Sequence, residues 1–303
     1  MKLISKETEL MFGKKILFNE KLANYSWFNL GGPSEVFFKP DNIEDIIFFF
    51  KNNRPLNINI LGAGSNTLFR DGGVKGVTVK LSSQFSYVNL ISPNIIEAGA
   101  ATLDRKIANF ALENSLTGLE FLSCIPGSIG GAIKMNSGCY GEDISKILHS
   151  IKVIDIFGNE KNILAADIKF YYRDCSLDAN LIITSVRLKG KITLRKNIEK
   201  KQDTLILKKK NDQPRQIKTG GSTFKNTKNK KAWELIKESN CQNLKVGNAK
   251  ISQKHCNFFV NDGKATAQEV EDLILKVKET VYQKTKTNLE LEIKIVGQNK
   301  QKI

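Results

Sequence analysis

The amino-acid sequence predicts an α+β fold in which short strands outnumber helices. Apolar residues recur at i, i+3, i+4 and i+7 across Ile43–Phe50, which is the spacing of an amphipathic helix. Apolar and polar residues alternate without interruption across Leu289–Ile295, which is the period of a half-buried strand. With 303 residues, the chain is long enough for two domains, each with its own hydrophobic core.

The first part of the chain alternates strands with two helices. Pro40-Asp41-Asn42 ends the first strand and caps the first helix. The second helix has an apolar face that runs from Leu103 to Ala111 and stops before Gly118. The predicted strands of this part are Val36–Phe38, Ile58–Leu61, Val77–Val79, Asn94–Ala98, Ile151–Ile156 and Leu181–Leu188.

A glycine-rich loop, Gly62-Ala63-Gly64-Ser65-Asn66, follows the strand Ile58–Leu61. It begins like a dinucleotide-binding fingerprint, but Thr67 and Leu68 follow, GxGxxG is not completed and no helical pattern comes next. The sequence therefore argues against a Rossmann unit. It favours a strand and loop whose glycine amides meet a phosphate without a crossover helix.

A second glycine-rich stretch, Gly118–Gly138, holds five glycines among apolar residues. Glycine loses the most backbone entropy on folding, so this many in an apolar context indicates positions where bare backbone is needed. The ordinary explanation is a tight turn between two core strands. The number of glycines favours a cradle in which backbone amides approach a large ligand.

The last part of the chain predicts a connector and a second domain. Residues 195–215 are polar and basic and predict a helix-like connector, with the domain boundary near Gly190. Farther on, Thr266-Ala267-Gln268-Glu269 has the spacing of a capping box. The apolar residues behind it form a helical stripe as far as Val281.

Composition narrows the class of protein. The net charge is +16, but the excess is nearly all lysine and scattered, and no nucleic-acid-binding signature is present, so we expect no nucleic-acid partner. The five cysteines form no CxxC pair, and the two histidines lie far apart, so we expect free thiols and no metal site. No apolar run has the length of a membrane span or a signal peptide, so we expect a cytoplasmic protein.

Taken together, these stretches resemble one enzyme family, the UDP-N-acetylenolpyruvoylglucosamine reductases (UDP-N-acetylmuramate dehydrogenases) of peptidoglycan synthesis. The matching pieces keep the family's order and span nearly the whole chain: 27–32, 61–66, 71–73, 118–121, 125–132, 135–141, 172–176, 221–226, 254–258 and 291–293. Two departures are visible. Thr227 stands where the family usually has Pro, and only Gly247 remains of the glycines usual in 243–248. The chain is also too short after Met135–Gly141 for the substrate-covering tyrosine loop of one subtype, and resembles the subtype without it.

The resemblance implies a fold and a reaction. Residues 1–190 would form a FAD-binding α+β domain of the vanillyl-alcohol-oxidase (PCMH) type, with two subdomains split near 82. Residues 191–303 would form a C-terminal α+β substrate-binding domain, with 191–215 as the connector. FAD would be bound non-covalently and NADPH would be its transient reductant. The reaction would convert UDP-N-acetylglucosamine enolpyruvate to UDP-N-acetylmuramate, in an enzyme for which we favour a monomer.

The resemblance also assigns three catalytic residues. Arg173 would hold the substrate carboxylate, where a planar bidentate donor suits the developing charge better than lysine. Ser222 would give its hydroxyl proton to the α-carbon, and Glu292 would hydrogen-bond the carboxylate, as a neutral acid. The ordinary alternatives are an ion pair of Arg173 with Asp174, a turn cap for Ser222 and a solvated strand face for Glu292.

Contacts to FAD and to the nucleotide of the substrate follow from the same resemblance. The residues implied to contact FAD are Gly62, Gly64, Ser65 and Asn66 from one loop and Ile125, Gly127, Ser128 and Gly130 from the other. Asn226 and Lys210 would contact the pyrophosphate of the substrate, although Lys208 and Lys209 are equally placed by sequence.

Two alternative functions remain open at this point. A flavin-dependent oxidase of an alcohol or sugar would share the fold, but it would leave Ser222 and Glu292 without a role. A basic RNA-binding protein that has kept the flavin fold would purify colourless and bind RNA in a salt-dependent manner.

Overall fold

The computed structural model describes residues 3–53 and 57–300. The chain folds into two compact units, each assembled from separate segments. Unit 1 comprises the described residues of Met1–Phe18, Val36–Ala63 and Gly76–Lys209. Unit 2 comprises those of Asn19–Glu35, Gly64–Lys75 and Lys210–Ile303.

Helices and strands are numbered in chain order. The α-helices are α1 (Lys6–Phe12), α2 (Ile43–Asn52), α3 (Asp104–Glu113), α4 (Ile129–Lys134), α5 (Arg195–Asp212), α6 (Ala232–Glu238) and α7 (Ala267–Thr285). Short 3₁₀ helices lie at Gly13–Lys15, Leu22–Tyr25, Ser83–Phe85, Glu120–Cys124, Ile144–Lys146 and Ala165–Asp167. The first ten strands are β1 (Ile16–Lys21), β2 (Pro33–Phe38), β3 (Ile58–Ile60), β4 (Thr67–Phe69), β5 (Val74–Val79), β6 (Val88–Ser92), β7 (Ile95–Gly99), β8 (Leu116–Thr117), β9 (Gly138–Cys139) and β10 (Glu142–Asp143). The others are β11 (Leu148–Ile154), β12 (Glu160–Leu164), β13 (Phe170–Tyr171), β14 (Asp174–Cys175), β15 (Ile182–Lys189), β16 (Lys191–Ile192), β17 (Lys245–Val246), β18 (Ala249–Ile251), β19 (Phe259–Asn261) and β20 (Lys294–Val296).

The first core of unit 1 lies around α2. Asn42 caps this helix by accepting a hydrogen bond from the amide of Asp45 at 2.7 Å. The helix buries Ile46, Phe49 and Phe50, and the Phe49 ring stacks on Phe38 with centroids 4.3 Å apart. The strands that face it belong to a sheet of order β1-β2-β5-β3, in which β3 and β5 are parallel. The predicted helix and strands of this region are therefore present, and no helix follows β3 before β4.

The second core of unit 1 lies on a five-stranded antiparallel sheet of order β12-β11-β15-β7-β6. Its buried side chains come from these strands, from α3 and α4, and from the 3₁₀ helix Glu120–Cys124. The predicted helix over 103–111 is observed as α3, and the strands predicted at 94–98, 151–156 and 181–188 are β7, β11 and β15. The period of the apolar residues was thus sufficient to find these elements.

Unit 2 packs α6 and α7 on the antiparallel sheet β17-β18-β19, and pairs β20 with β4 in parallel. The capping box is present: Thr266 Oγ1 accepts from the amide of Glu269 at 3.1 Å, and Glu269 Oε2 accepts from the amide of Thr266 at 2.9 Å. The helical stripe predicted behind it is buried. Arg70 and Glu271 form a bidentate ion pair, with the closest N–O distance 2.8 Å.

The structure differs from the sequence expectations in two places. The connector predicted over 191–215 is the helix α5, but unit 1 includes it as far as Lys209, because Lys201 and Gln202 bond to Glu120 and Asn109 at 3.1 Å each. The strand predicted over Leu289–Ile295 is shorter, and only β20 at its end is a regular strand. The residues before β20 alternate in character, but their backbone pairs with a loop rather than with a strand.

Candidate active site

In unit 1, the two glycine-rich loops meet at Gly62 and Ser128. A Cβ placed on Gly62 would lie 2.8 Å from Ser128 Oγ, which is closer than real side chains approach. Ser128 is 4% exposed and precedes α4, but its side chain makes no capping hydrogen bond to that helix. The sequence prediction placed both residues at one ligand, and the structure brings them together.

Lys80 is a residue that sequence reasoning missed at this position. Its Nζ donates to the carbonyl oxygen of Gly62 at 2.6 Å. Burial lowers the pKa of Lys80, with a further contribution from the charge of Lys39. A single lysine at the end of a strand carries no sequence signal, so only the tertiary contact identifies it.

Main-chain hydrogen bonds fix the loop before α4. The amides of Ile129 and Gly130 donate to the carbonyls of Thr102 and Ala100 at 2.9 and 3.0 Å, and the amide of Gly127 donates within its own turn. A Cβ on Gly130 would lie 3.1 Å from Ala100. At Gly130, glycine therefore permits close packing, and its amide already has a partner inside the protein.

In unit 2, the continuation of the first glycine loop packs tightly on its neighbours. Gly64 has φ +67°, and a Cβ there would lie 1.8 Å from the carbonyl oxygen of Tyr25, so only glycine fits. Ser65 and Asn66 are half-buried. Asn66 Nδ2 donates to the carbonyl oxygen of Glu292 at 3.0 Å. A predicted cofactor residue and a predicted catalytic residue are thus in contact.

The segments that carry Ser222 and Glu292 are also joined within unit 2. The amide of Glu292 donates to the carbonyl of Thr223 at 2.8 Å, one residue after Ser222. Ser222 forms an isolated β-bridge with Phe258 and follows Gly221, which has φ +79° and open space where a Cβ would stand. Ser222 and Glu292 are both half-buried, so each is accessible to a ligand.

Arg173 belongs to unit 1, where it lies at the turn of the hairpin β13–β14 with φ +59°. A left-handed backbone at a long side chain is strained and tends to persist where function requires it. One guanidinium nitrogen donates to the carbonyl of Gly138 at 2.8 Å, and the guanidinium lies 5.0 Å from the ring centre of Tyr172. The hairpin, Gly138 and the tyrosine ring together orient the guanidinium.

The residues expected to meet the substrate pyrophosphate are exposed. Asn226 Oδ1 accepts from the amide of Ala232 at 3.0 Å, at the start of α6. Lys208 lies over the ring of Tyr140, with Nζ 4.7 Å from its centre. Lys209 Nζ donates to the carbonyl of Cys124 at 2.8 Å. For Lys210 the structure gives a main-chain contact, in which its carbonyl accepts from Lys254 at 2.7 Å.

The substitution of Thr227 for the family's usual proline has a local reason. The amide of Thr227 donates to the carbonyl of Lys230 at 3.0 Å, and its hydroxyl both donates to that carbonyl and accepts from the amide of Lys230. Proline has no amide hydrogen and could not make the first of these bonds.

Metal-binding clusters and membrane-spanning helices were sought in residues 3–53 and 57–300. Within this part of the chain, no cluster of His, Cys, Asp and Glu could hold a metal ion. Its helices are all too short or too polar to cross a bilayer. The five cysteines are free thiols.

Two family models match the chain. A model described as FAD binding domain matches residues 34–162. A model described as UDP-N-acetylenolpyruvoylglucosamine reductase, C-terminal domain, matches residues 212–296. The α+β prediction of a FAD-binding domain followed by a C-terminal domain is confirmed.

Curated relatives and a solved structure match over nearly the whole chain. A UDP-N-acetylenolpyruvoylglucosamine reductase of Pelagibacter ubique (strain HTCC1062) is 45% identical over 288 residues, covering 93% of this chain and 95% of that protein. One of Orientia tsutsugamushi (strain Boryong) is 42% identical over 283 residues, covering 92% and 93%. The crystal structure of the UDP-N-acetylenolpyruvylglucosamine reductase of Thermus caldophilus matches with a TM-score of 0.81 at 30% identity, covering 93% of this chain and 98% of that one. These matches favour a reductase over the oxidase and RNA-binding alternatives.

Proposed function

The chain belongs to the UDP-N-acetylenolpyruvoylglucosamine reductase family, and we propose that it reduces UDP-N-acetylglucosamine enolpyruvate to UDP-N-acetylmuramate for peptidoglycan synthesis. The observation that carries the proposal is the backbone bond between Glu292 and Thr223. It holds the carboxyl of Glu292 and the hydroxyl of Ser222 on adjoining segments of unit 2. A carboxyl and a hydroxyl held together suit a reaction that must stabilise a carboxylate and deliver a proton.

The FAD-binding domain has a cradle that fits a phosphate-bearing cofactor. At Gly62 the backbone is bare, and a Cβ would fill the space beside Ser128 Oγ. Because the amides of Gly127 and Gly130 bond within the protein, we assign the contacts from that loop to the Ser128 hydroxyl and the backbone of Ile125, with the glycines shaping the loop. Lys80, bonded to Gly62, adds positive charge behind the cradle.

The first glycine loop continues the cofactor contacts. We assign Gly64, Ser65 and Asn66 to the pyrophosphate and ribityl chain, since Gly64 tolerates no side chain and the other two offer polar groups. When bound, FAD supplies the hydride that the substrate receives. We propose NADPH as the reductant that returns FAD to its reduced form.

The residues of the chain would then stabilise the negative charge on the substrate and deliver the proton. The substrate is an alkene conjugated to a carboxylate, so reduction places negative charge on the carboxylate before a proton reaches the α-carbon. Arg173, oriented by its bond to Gly138, is the cation for that charge, and Glu292 as a neutral acid adds a hydrogen bond. Ser222 donates the proton, because an aci-carboxylate carbanion is basic enough to take it from a serine hydroxyl.

Contacts to the UDP group are proposed for Asn226 and Lys210. The Asn226 carboxamide oxygen is engaged by α6, which leaves its nitrogen as the group that can donate to a phosphate. Lys208 and Lys209 both have contacts in unit 1, and this supports Lys210 as the lysine that meets the substrate. We further propose a monomer that acts in the cytoplasm; light scattering after gel filtration tests the monomer.

The half-reactions test the central assignment. In Ser222→Ala, we expect NADPH to bleach bound FAD at the wild-type rate, while the enolpyruvyl substrate fails to reoxidise it anaerobically. Ser239→Ala is the matched control, since Ser239 is buried in unit 2 with a hydroxyl that has no hydrogen-bond partner among the described residues. Full-rate reoxidation in Ser222→Ala would show that another group donates the proton.

A further inference from the structure

One buried side chain of unit 2, that of Asn257, binds the main chain close to Ser222. Asn257 lies shortly before β19 and is 3% exposed. Its Oδ1 accepts from the amide of Phe224 at 3.0 Å, and its Nδ2 donates to the carbonyl oxygen of Phe224 at 2.8 Å. The carboxamide therefore takes the place of a neighbouring strand, because it pairs with both main-chain polar groups of one residue.

The main chain of Asn257 extends this contact towards the serine. Its carbonyl accepts from the amide of Thr223 at 2.8 Å, and the next residue, Phe258, forms the isolated β-bridge with Ser222. The carbonyl of Thr223 accepts from the amide of Glu292 at 2.8 Å. Of the four main-chain polar groups in the two residues after Ser222, Asn257 thus binds three and Glu292 binds the fourth.

The chain before Ser222 provides less support than the chain after it. Gly221 has φ +79°, and no atom lies within 4 Å of the place where its Cβ would stand. Glycine populates many backbone conformations, so this residue does not fix the direction of the serine that follows it. The position of the Ser222 hydroxyl is therefore set mainly by the bonds that Asn257 and Glu292 make to the following segment.

We propose that Asn257 is a positioning residue for Ser222, whose hydroxyl it holds in a fixed direction relative to the carboxyl of Glu292. The inference rests on the proposed function, in which Ser222 delivers a proton to the α-carbon of the substrate. Proton transfer needs the donor within about 2.6–3.2 Å of its acceptor, and a misplacement of about 1 Å costs about 10²-fold in rate. Asn257 cannot turn its carboxamide without breaking two buried hydrogen bonds, so it is a rigid support.

The same bonds also serve the core of unit 2. Phe224 is fully buried, and its ring centre lies 5.7 Å from that of Phe259. If Asn257 did no more than keep Phe224 in this core, its loss would lower stability and would affect both half-reactions of the enzyme alike. A role in positioning Ser222 predicts that only the half-reaction that needs the proton becomes slower.

Asn261 provides a matched control in the same unit. It is 4% exposed, and its Nδ2 donates to the carbonyl oxygen of Phe28 at 2.9 Å. Its Oδ1 accepts from the amides of Gly263 and Ala265 at 2.8 and 3.0 Å. Asn261 therefore resembles Asn257 in burial and in the kind of bonds it makes, but its carboxamide binds no residue of the segment that follows Ser222.

The two half-reactions of the full chain loaded with FAD test the proposal. In Asn257→Ala, we expect NADPH to reduce bound FAD at the wild-type rate and the substrate to bind the oxidised enzyme with unchanged Kd. Anaerobic reoxidation by the enolpyruvyl substrate should slow by about 10–10²-fold in stopped-flow traces. In Asn261→Ala, both half-reactions should keep their wild-type rates. If Asn257→Ala does not fold, Asn257→Leu keeps most of the side-chain volume, and Asn261→Leu is its control.

The outcomes distinguish this inference from the proposed function. Reoxidation at the wild-type rate in Asn257→Ala, equal slowing of its two half-reactions, or the same selective slowing in Asn261→Ala would each overturn the positioning role alone. A wild-type enzyme whose reduced FAD is not reoxidised by the enolpyruvyl substrate would overturn the proposed function, and the positioning role with it.

Discussion

Replacing Gly62 by alanine perturbs the junction of the two glycine loops at one known contact. The added Cβ would lie 2.8 Å from Ser128 Oγ, so that oxygen must rotate or the loops must separate by about 0.6 Å to reach ordinary contact. Turning a buried serine away from its preferred rotamer costs about 1 kcal/mol. For a chain of this size, that change lowers Tm by roughly 2 °C.

Because Ser128 Oγ is the atom in the way, the contact predicts a specific coupling. In Gly62→Ala/Ser128→Ala the oxygen is gone, so the double variant should regain about 1 kcal/mol relative to the sum of the single variants. Gly131→Ala is the matched control: its Cβ would lie 3.8 Å from the same oxygen, and alanine is favoured over glycine in α4, so it should be neutral or slightly stabilising.

The assay is urea unfolding of the protein stripped of FAD, followed by titration of FAD into each folded variant. We expect Gly62→Ala to weaken FAD binding even where its folding is restored, since the methyl group still fills the cradle. Strict additivity of the Gly62 and Ser128 substitutions in unfolding would refute the contact. Unchanged FAD affinity in Gly62→Ala would refute the assignment of the cradle.

Three further predictions concern separate parts of the chain. Arg173→Lys keeps the charge but loses the bidentate fork, so reoxidation of reduced FAD by substrate should slow by about 10²–10³-fold in stopped-flow traces; a change below twofold would contradict its role. Thr227→Pro removes the amide bond to Lys230 and should lower the free energy of unfolding by about 1 kcal/mol in urea titrations, although proline is the family's usual residue. Burial raises the pKa of Asp155, but hydrogen bonds from Asn159 and from a neighbouring amide outweigh burial and hold that pKa down to about 2. The contribution of Asp155 to stability is therefore present above pH 4 and is lost as the pH falls towards 2. Asp155→Asn should flatten the loss of Tm over that interval, and an unchanged acid slope would show that other carboxylates dominate it.

The elements that sequence reasoning found share a local cause. The stripe of α7 and its capping box are set by residues within a few turns of each other, and both are present. The same holds for α2 and its cap at Asn42. The sequence also predicted that no helix follows Gly62–Asn66, because an amphipathic helix needs apolar residues at a fixed spacing and none is present there.

From the sequence alone, the candidate site could be recognised only as a set of motifs. The order of the motifs pointed to the family, which the comparisons confirm. The partner of the Gly130 amide could not be read from the sequence, because it is the carbonyl of Ala100, which lies far earlier in the chain. Lys80 was missed for the same reason, since nothing near it in sequence indicates that it meets Gly62.

By itself, the sequence determined the α+β class, the positions of the helices α2, α3, α5 and α7 and of several strands, and the family, since these depend on residue periods and on ordered local motifs. The tertiary structure alone decided that the compact units draw on separate segments and that Gly62 meets Ser128. The physical reason is the range of the interactions: periodicity and capping act over a few residues, whereas these contacts join positions that only packing of the whole unit brings together.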